Sequence, residues 1–245
     1  MLRTSWLCVL TAILFACPVS ADEPLRLLVF GATGSVGSLI VDEALSRGHA
    51  VTAVSRDPSS IDASRSGLTA ARGDLLNRDS IGELLEGHDV VISSVRGVIG
   101  DKSDPENALQ LLAASNIIAE LREFDGKPLR FLHIGGAGSL EVEPGKLFAE
   151  TLPKIALPKS FESEIIGQIW TLDDLREVHD VEWTYITPPI NLKDGERTGE
   201  YRIGGDEVLR DERGKSRISK ADFAVAVVDE AENAHHTRQR ISIAN

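Results

Sequence analysis

Several residue types on which common chemistries depend are scarce in this chain. Of its 245 residues only two are cysteines, two are tyrosines and one is methionine. Both cysteines, Cys8 and Cys17, lie in the first 21 residues. A mature chain without that segment would have no disulfides, no thiolate nucleophile and no cysteine metal ligands.

Basic residues are also in deficit. The chain has 26 lysines and arginines against 38 aspartates and glutamates, which gives a formal net charge of −12. Nucleic acids and anionic membrane surfaces attract basic patches, so an acidic chain suits neither. We therefore expect no nucleic-acid partner and no attachment to an anionic membrane surface.

The N-terminus has the pattern of a secretory signal peptide. Arg3 precedes an apolar run at 6–16, and the small residues Val19-Ser20-Ala21 follow it. The run is shorter than the about 20 residues of a membrane-spanning helix. We expect residues 1–21 to be removed on export and residues 22–245 to form a periplasmic or secreted protein. The alternative, lipid attachment at Cys17, is disfavoured by the bulky Phe15 before it.

The remaining residues, about 220, suit a single α/β domain with one large core. Short apolar runs alternate with amphipathic segments, which predicts a doubly wound, Rossmann-type parallel sheet with right-handed crossovers. Strands are expected at 25–30, 50–54, 68–71, 89–94, 129–134 and 182–187. Helices are expected at 35–47, 78–85, 105–124, 161–178 and 220–232.

The first predicted strand ends in a Gly-x-x-Gly-x-x-Gly turn, formed by Gly31, Gly34 and Gly37, before the first helix. In a dinucleotide site such glycines allow a sharp turn, a close backbone approach to the pyrophosphate, and close packing of helix on strand. The helix N-terminus adds free N–H groups and a partial positive charge. The pattern predicts dinucleotide binding; the alternative is a turn without a ligand.

The end of the second predicted strand distinguishes NADP from NAD. NAD sites place an acid here for the ribose 2′-hydroxyl, whereas NADP sites place an arginine for the 2′-phosphate. Arg56 precedes Asp57, which favours NADP over NAD. In the alternative interpretation Arg56 is a solvated surface residue, and Asp57 caps a helix that begins at Pro58.

Later strand ends add further candidates. Asp74 is expected to accept the adenine amino group or, equally, to bond its own backbone in a turn. The run 93–97 would line the centre of the cofactor. The glycine-rich stretch 135–138 would leave room for a nicotinamide or a substrate, unless it is simply a flexible loop. Pro188 and Pro189 would form a rigid wall.

With these residues in place, the chain resembles the atypical short-chain dehydrogenase/reductase superfamily, in its NAD(P)H-binding group close to biliverdin-IXβ reductase and flavin reductase. The resemblance extends from about residue 25 to the C-terminus. It rests on Gly-Ala-Thr-Gly-Ser-Val-Gly at 31–37, Val-Ser-Arg-Asp at 54–57, Gly-Asp at 73–74, Asp-Val-Val-Ile at 89–92, Thr-Tyr-Ile-Thr-Pro-Pro at 184–189, Arg-Thr-Gly-Glu-Tyr-Arg at 197–202 and Ser-Arg-Ile-Ser-Lys-Ala-Asp at 216–222.

The resemblance implies bound NADPH and hydride transfer to a planar acceptor stacked over the nicotinamide. The pyrophosphate would be held by Gly31, Thr33, Gly34, Ser35, Val36 and Gly37. Arg56 would bind the 2′-phosphate, and Asp74 and Leu75 the adenine. The ribose would lie near Val95 and Arg96, and the nicotinamide end would be bordered by Gly136, Pro189 and Ile190.

Two departures from the superfamily pattern matter. A Tyr-x-x-x-Lys acid/base pair is absent, since the fourth residue after Tyr185 is Pro189 and the fourth after Tyr201 is Gly205. Alcohol dehydrogenation with a tyrosine base is therefore not expected. Flavin reductase relatives carry a serine after the fifth strand, where this chain has Gly136, so a polar contact to the substrate or nicotinamide is missing.

Catalytic residues are not identified by the sequence. His133 has a suitable pKa for proton transfer, but its place in a predicted strand favours a core role. Ser94 and Ser139 are further candidate hydrogen-bond donors. Tyr185 alternates with Trp183 and is expected in the core. The pair at 235–236 follows a helix end, where histidine suits the helix dipole, and we expect no metal site.

Three functions remain open at this stage. The first is an NADPH-dependent reductase of a flavin, quinone or similar planar acceptor, since hydride transfer to such acceptors depends on orientation more than on a strong acid. The second is an NADP-binding sensor or scaffold without catalysis. The third is an NAD(P)-using sugar isomerase or dehydratase, which needs an acid/base pair that the sequence does not reveal.

Overall fold

The computed structural model describes residues 23–153 and 157–245. The predicted signal peptide, with the alternative lipidation site Cys17, lies outside these residues. Within the described ranges, no helix is both long enough and apolar enough to cross a membrane.

Twelve strands and five α-helices alternate along the described chain. The strands are β1 (Arg26–Phe30), β2 (Ala50–Ser55), β3 (Leu68–Arg72), β4 (Val90–Ser93), β5 (Arg130–Ile134), β6 (Glu141–Glu143), β7 (Lys146–Leu147), β8 (Trp183–Thr187), β9 (Asn191–Lys193), β10 (Arg202–Gly204), β11 (Arg217–Ser219) and β12 (Gln239–Ala244). The helices are α1 (Gly37–Ser46), α2 (Arg78–Leu85), α3 (Leu109–Glu123), α4 (Lys159–Arg176) and α5 (Lys220–Asn233).

Eight strands form one sheet in the order β10-β12-β8-β5-β4-β1-β2-β3. Neighbouring strands are parallel except β10, which runs antiparallel to β12. The chain order reverses between β1 and β4, and in such sheets a ligand crevice opens at that point beyond the carboxyl ends of the strands. The predicted doubly wound Rossmann-type fold is confirmed, and so are all six predicted strands, within one or two residues at their ends.

Helices cover both faces of the sheet. In β1, Leu27 and Val29 pack beneath α1 and α5, whereas Leu28 and Phe30 pack beneath α2, α3 and α4. Both faces of β1 are therefore buried, as its continuous apolar sequence predicts for a central parallel strand. Burial on both sides fixes the position of the turn that follows Phe30.

The predicted helix at 105–124 is wrong in its first turn. Residues Pro105–Asn107 form a separate 3₁₀ turn, capped by Asp104, whose Oδ1 accepts from the Glu106 N–H at 3.0 Å. Ala108 then takes an extended conformation (φ −65°, ψ 121°), and α3 begins at Leu109. Proline at the first position after a capping aspartate favours this local arrangement over a continuous helix.

The two C-terminal strands of the sheet, β10 and β12, were not predicted from the sequence. The strand β12 pairs in parallel with β8 and buries Ile241 and Ile243. Arg240 precedes these apolar positions, with its guanidinium paired to Asp206 at 2.6 Å, and Ser242 lies between them. A short apolar–polar alternation of this kind was the available signal.

Candidate functional site

The turn between β1 and α1 closes through contacts that only glycine permits. Gly31 has a φ of +77°, and a Cβ there would lie 2.3 Å from the carbonyl oxygen of Ser94. A Cβ on Gly37 would lie 2.1 Å from the carbonyl oxygen of Gly31. The Gly34 N–H donates to that same carbonyl at 2.9 Å. The first turn of α1 is thus held tightly against the ends of β1 and β4.

The N-terminus of α1 carries no competing anion. Its N-cap residue, Val36, provides no side-chain hydrogen bond, and its first turn has no acidic residue. The partial positive charge of the helix end therefore remains available to a bound anion.

A first cavity, of about 170 Å³, opens beside this turn at the ends of β1, β2 and β3. Its lining includes several of the predicted site residues: Gly31, Thr33, Arg56, Asp74, Leu75 and Val95. Leu75 is buried, and its carbonyl accepts from Asn116 Nδ2 at 2.8 Å, so this apolar wall is held in place.

Arg56 and Asp57 take separate roles at the end of β2. Arg56 is exposed at the mouth of the first cavity, and its guanidinium makes no hydrogen bond or ion pair within the described part of the chain. Asp57 caps the 3₁₀ turn Pro58–Ser60, accepting from the Ser59 N–H at 3.1 Å. The hydrogen bonds from Ser59 lower the pKa of the Asp57 carboxyl, and the charge of Arg72 lowers it further.

Arg72 is a residue that the sequence analysis missed. It ends β3 directly opposite Ser55, and it is exposed. It therefore adds a second cation near the end of the first cavity. The available signal was its position at the carboxyl end of a parallel strand next to the one that carries Arg56.

Asp74 forms a turn and also lines the first cavity. Its Oδ1 accepts from the Leu76 N–H at 3.0 Å, and its own N–H donates to Ser80 Oγ at 3.1 Å. One carboxylate oxygen of Asp74 therefore bonds the local backbone in a turn, as the second of the two sequence interpretations predicts. The side chain still belongs to the cavity wall.

A second, larger cavity of about 570 Å³ lies over the ends of β4, β5 and β8. Val95 lines both cavities, so the two adjoin along the glycine turn. The predicted residues that line the second cavity are Gly34, Ser35, Val36, Ser94, Val95, Arg96, Gly136, Pro189 and Ile190. Gly37 lines neither cavity, and its role is the close packing of α1 described above.

The outer wall of the second cavity comes from residues that the sequence analysis did not select. Helix α4 and the segment before it contribute apolar and polar side chains, and α5 contributes its first residue. These residues are Phe148, Leu152, Phe161, Glu164, Ile165, Gln168 and Lys220. The place of Lys220 in the motif at 216–222 could have indicated its role in this wall. The sequence around the other residues gives no such indication.

Two ion pairs lie at this second cavity. Arg96 Nε lies 2.9 Å from Glu164 Oε1 and links the loop after β4 to α4. Lys220 Nζ lies 3.0 Å from Asp194 Oδ1, and the lysine side chain is 20% exposed while Asp194 is 92% exposed. Arg96 and Lys220 are therefore each paired with a carboxylate, and the exposure of Asp194 makes the second pair a weak one.

Comparison with known proteins identifies the family. A model of the family described as NAD(P)H-binding matches residues 31–234. The chain belongs to this family. The region matched begins at the first glycine of the turn and includes both cavities, and the predicted place among the atypical short-chain dehydrogenases/reductases is confirmed.

Solved structures with similar sequences cover nearly all of the chain. One is named a "putative exported protein" from Burkholderia pseudomallei (34% identity, TM-score 0.76, 90% of this chain and 100% of that one). A "putative epimerase" from Bacteroides thetaiotaomicron has 30% identity and a TM-score of 0.79 over 91% and 97% of the two chains. A "putative NADH-flavin reductase" from Streptococcus pneumoniae has 32% identity and a TM-score of 0.72 over 90% and 99%.

In this family member the sequence-predicted catalytic candidate His133 lies in the core. It is fully buried in β5, lines neither cavity, and finds no partner for either ring nitrogen among the described residues. Burial lowers its pKa to about 3, so the imidazole is neutral at physiological pH. The geometry gives no support to proton transfer by His133 and agrees with the core interpretation.

The other candidate residues from the sequence differ in whether they reach a cavity. Ser94 lines the second cavity, whereas the Ser139 hydroxyl is buried and donates to the Gly136 carbonyl at 3.0 Å. Tyr185 is buried as expected, and its hydroxyl donates to the Gln168 carbonyl at 2.9 Å. His236 Nδ1 lies 2.7 Å from Glu230 Oε2. Within the described ranges, no cluster of three or more potential metal-binding side chains occurs.

Proposed function

We propose that this protein is an NADPH-dependent reductase of a flavin, quinone or similar planar acceptor. One observation carries the proposal: two adjoining cavities share the glycine turn. The first has at its mouth an arginine without a partner among the described residues, and the second is larger and walled mainly by glycine, proline and apolar residues. An elongated dinucleotide fits such a pair, with its adenosine end in the first cavity and its nicotinamide in the second.

The chain's own residues suit this cofactor. The glycine turn brings backbone close to a pyrophosphate, and Arg56 offers a free guanidinium for a 2′-phosphate, which arginine can bind through two parallel hydrogen bonds. Leu75 provides an apolar surface for the adenine. Pro189 and Ile190 border the second cavity, where they would hold the nicotinamide in one orientation.

When bound, NADPH supplies a hydride, so the acceptor gains two electrons and one hydrogen from the cofactor and one proton from solvent, and NADP⁺ remains. The residues of the second cavity position the acceptor and exclude water from its inner side. Orientation of two stacked planar rings is the main requirement for this transfer. The proposal needs no tyrosine base, and neither tyrosine lines either cavity.

The test is oxidation of NADPH by the purified protein under anaerobic conditions with FMN, riboflavin and menadione as acceptors. We expect turnover with at least one acceptor and a lower kcat/KM with NADH than with NADPH. Failure with every acceptor, together with calorimetric binding of NADPH, would contradict the reductase and favour a non-catalytic NADP-binding module. That second function is favoured by the burial and neutrality of His133.

Epimerisation, suggested by the name of the Bacteroides relative, is less well supported. It requires an acid and a base on opposite sides of a substrate carbon. The ionisable side chains at the second cavity, Glu164 and Lys220, are each held in an ion pair. Turnover of nucleotide sugars without net oxidation of the cofactor would be the contrary result.

We also propose that the protein is exported, as the pattern at 1–21 predicts. The relative from Burkholderia carries the word "exported" in its name. Cell fractionation with N-terminal sequencing tests this, and cleavage after Ala21 would leave Asp22 as the first residue. A cytoplasmic protein that retains residues 1–21 would contradict the proposal.

A further inference from the structure

The backbone conformation of Gly136 does not require a glycine. Its φ of −137° and ψ of 149° are ordinary extended values that any residue adopts. A Cβ built there would lie 1.4 Å from Oε1 and 2.5 Å from Cδ of Gln168. The carboxamide of Gln168 therefore occupies the volume in which a side chain of residue 136 would begin.

The fold brings Gln168 to this place by close approach of α4. A Cβ on Gly167 would lie 2.1 Å from the Cβ of Ala108, so glycine allows α4 to pack directly on the segment before α3. On the other side, the buried hydroxyl of Tyr185 donates to the backbone carbonyl of Gln168 at 2.9 Å. The main chain of Gln168 is thus fixed by packing and by a hydrogen bond.

The carboxamide itself is free to bind a ligand. Gln168 lines the second cavity and is partly buried. Among the residues that the structure describes, neither Oε1 nor Nε2 has a hydrogen-bond partner. A glutamine side chain offers two N–H donors and an acceptor oxygen. Because the side chain is only partly buried, water reaches these groups in the open cavity, and a ligand with a complementary edge would take the place of that water.

We propose that Gln168 is the specificity-determining residue for the acceptor, and that its carboxamide hydrogen-bonds an edge in which a carbonyl lies beside an N–H. Such an edge occurs in imides and lactams, including the pyrimidine side of a flavin, and is absent from simple quinones. This inference rests on the proposed reductase function. The polar contact that the sequence analysis found missing at Gly136 is supplied, in this inference, from α4.

The first arm of the test measures kcat and KM for riboflavin and for menadione with the wild-type protein, Gln168→Met and Gln168→Ala. Methionine keeps the approximate length and volume of glutamine but has neither donor nor carbonyl. We expect the ratio of kcat/KM for riboflavin over menadione to fall on the order of tenfold in both variants. The KM for NADPH and the Tm should stay close to wild type in Gln168→Met.

The second arm uses the collision between the two residues. Gly136→Ser alone places a side chain in the volume of the Gln168 carboxamide, which is the far end of a flexible side chain and can turn aside with little change in Tm. The displaced carboxamide no longer meets the edge of the acceptor, so the preference for riboflavin should fall. In the double variant Gly136→Ser with Gln168→Ala, the hydroxyl has room. We expect the preference for riboflavin to return in part, a non-additive result that independent sites would not give.

Two results would overturn the inference while leaving the proposed function intact: an equal loss with riboflavin and menadione in Gln168→Met, or a change confined to the KM for NADPH. If the wild-type protein turns over neither acceptor, the proposed function fails. Quenching of riboflavin fluorescence in the presence of NADP⁺ then still decides the role of Gln168. Binding about tenfold weaker in Gln168→Met supports that role, and equal affinity or no binding rejects it.

Discussion

The imidazole of His133 stacks on the phenol ring of Tyr185 with ring centroids 5.4 Å apart and planes inclined by 21°. The two residues are register partners on β5 and β8, and both are fully buried beneath the second cavity. The tyrosine hydroxyl has a partner in the Gln168 carbonyl, whereas neither histidine nitrogen has one among the described residues. The stack therefore supports the cavity floor through packing.

Replacement of His133 by phenylalanine should keep the stack and remove two unpartnered polar atoms. We expect a Tm equal to or above that of the wild-type protein and little change in turnover, because apolar replacement of an unsatisfied buried polar group is neutral or stabilising. Thermal unfolding at pH 7 and the NADPH oxidation assay measure both effects. A large loss of turnover with an unchanged Tm would give His133 a role in the reaction.

The pH dependence of stability should identify the same residue. The pKa of His133 is lowered from 6.5 to about 3 in the folded protein, so between these values the unfolded chain binds a proton that the folded chain does not. Its contribution to stability is complete above about pH 6.5 and falls as the pH decreases, with a limiting slope of about 1.4 kcal/mol per pH unit. Denaturant unfolding between pH 7 and 4 should show this slope in the difference between the unfolding free energies of the wild-type protein and His133→Phe.

Gly37→Ala should weaken cofactor binding although Gly37 lines neither cavity. The added Cβ would lie 2.1 Å from the carbonyl oxygen of Gly31, a backbone atom that cannot move without shifting the glycine turn. We expect destabilisation of about 1–3 kcal/mol and weaker NADPH binding, although alanine is normally the better helix former. Gly205→Ala is the matched control, since a Cβ there meets nothing within 4 Å. Equal effects of the two changes would contradict the close packing of α1.

Arg56→Ala should lower affinity for NADPH and leave affinity for NADH unchanged. A charge-assisted hydrogen bond to a phosphate contributes about 1.5–3 kcal/mol, which corresponds to a roughly 10- to 150-fold change in Kd. Arg65→Ala serves as the control, because Arg65 pairs with Asp42 at 2.7 Å in a neighbouring surface cavity. Calorimetric titration with both nucleotides measures the effect. Equal wild-type affinities for NADH and NADPH would refute the preference for NADP.

The parts of the site that the sequence predicted are those encoded within one strand–turn–helix unit. Gly31, Gly34 and Gly37 act on each other, so their spacing alone indicates the turn. Arg56 and Pro189 follow predicted strands directly, and the carboxyl ends of parallel strands meet at one edge of a sheet. The local sequence was therefore sufficient to predict that these residues belong to the site.

The parts that the sequence did not predict depend on long-range packing. Gln168 reaches the cavity only because Gly167 packs on Ala108 and Gly136 has no side chain. No pattern within α4 indicates which of its faces meets the end of β5. The strand β12 was missed for a related reason, since it begins with Gln239 and Arg240, and the guanidinium of Arg240 is accommodated by Asp206 and by the Ser139 carbonyl, both distant in sequence. The burial of a charged side chain can be predicted only when its partner, distant in the sequence, is known to lie beside it.

Asp222 ties the loop at 198–199 to the start of α5, whose first residue, Lys220, lines the second cavity. Its carboxylate accepts from the Thr198 and Gly199 N–H groups at 2.7 Å each and from the Thr198 and Ser219 hydroxyls at 2.9 Å each. The residue is buried two positions after Lys220. Burial acts to raise the pKa of this carboxyl, but the hydrogen bonds outweigh burial and the pKa is lowered. The ionised carboxylate therefore fixes the loop at 198–199 to the start of α5.

Asp222→Ala should destabilise the protein by about 1.5–3 kcal/mol, because it removes the charged acceptor that holds the loop at 198–199 through the Thr198 and Gly199 N–H groups. It should also raise the KM of the acceptor, since Lys220 and Ile190 line the cavity from this region. Because the folded pKa is lowered, the stabilisation is present above the ordinary pKa of 3.8 for an aspartate and is lost as the pH falls through the folded pKa. Asp101→Ala, which removes an exposed aspartate bonded only to Ser103, is the control and should change stability little. Denaturant unfolding of both variants from pH 7 down to pH 3 measures the effect. If the unfolding free energies of Asp222→Ala and wild type differ by the same amount over that whole range, the charge of Asp222 is not what holds the loop.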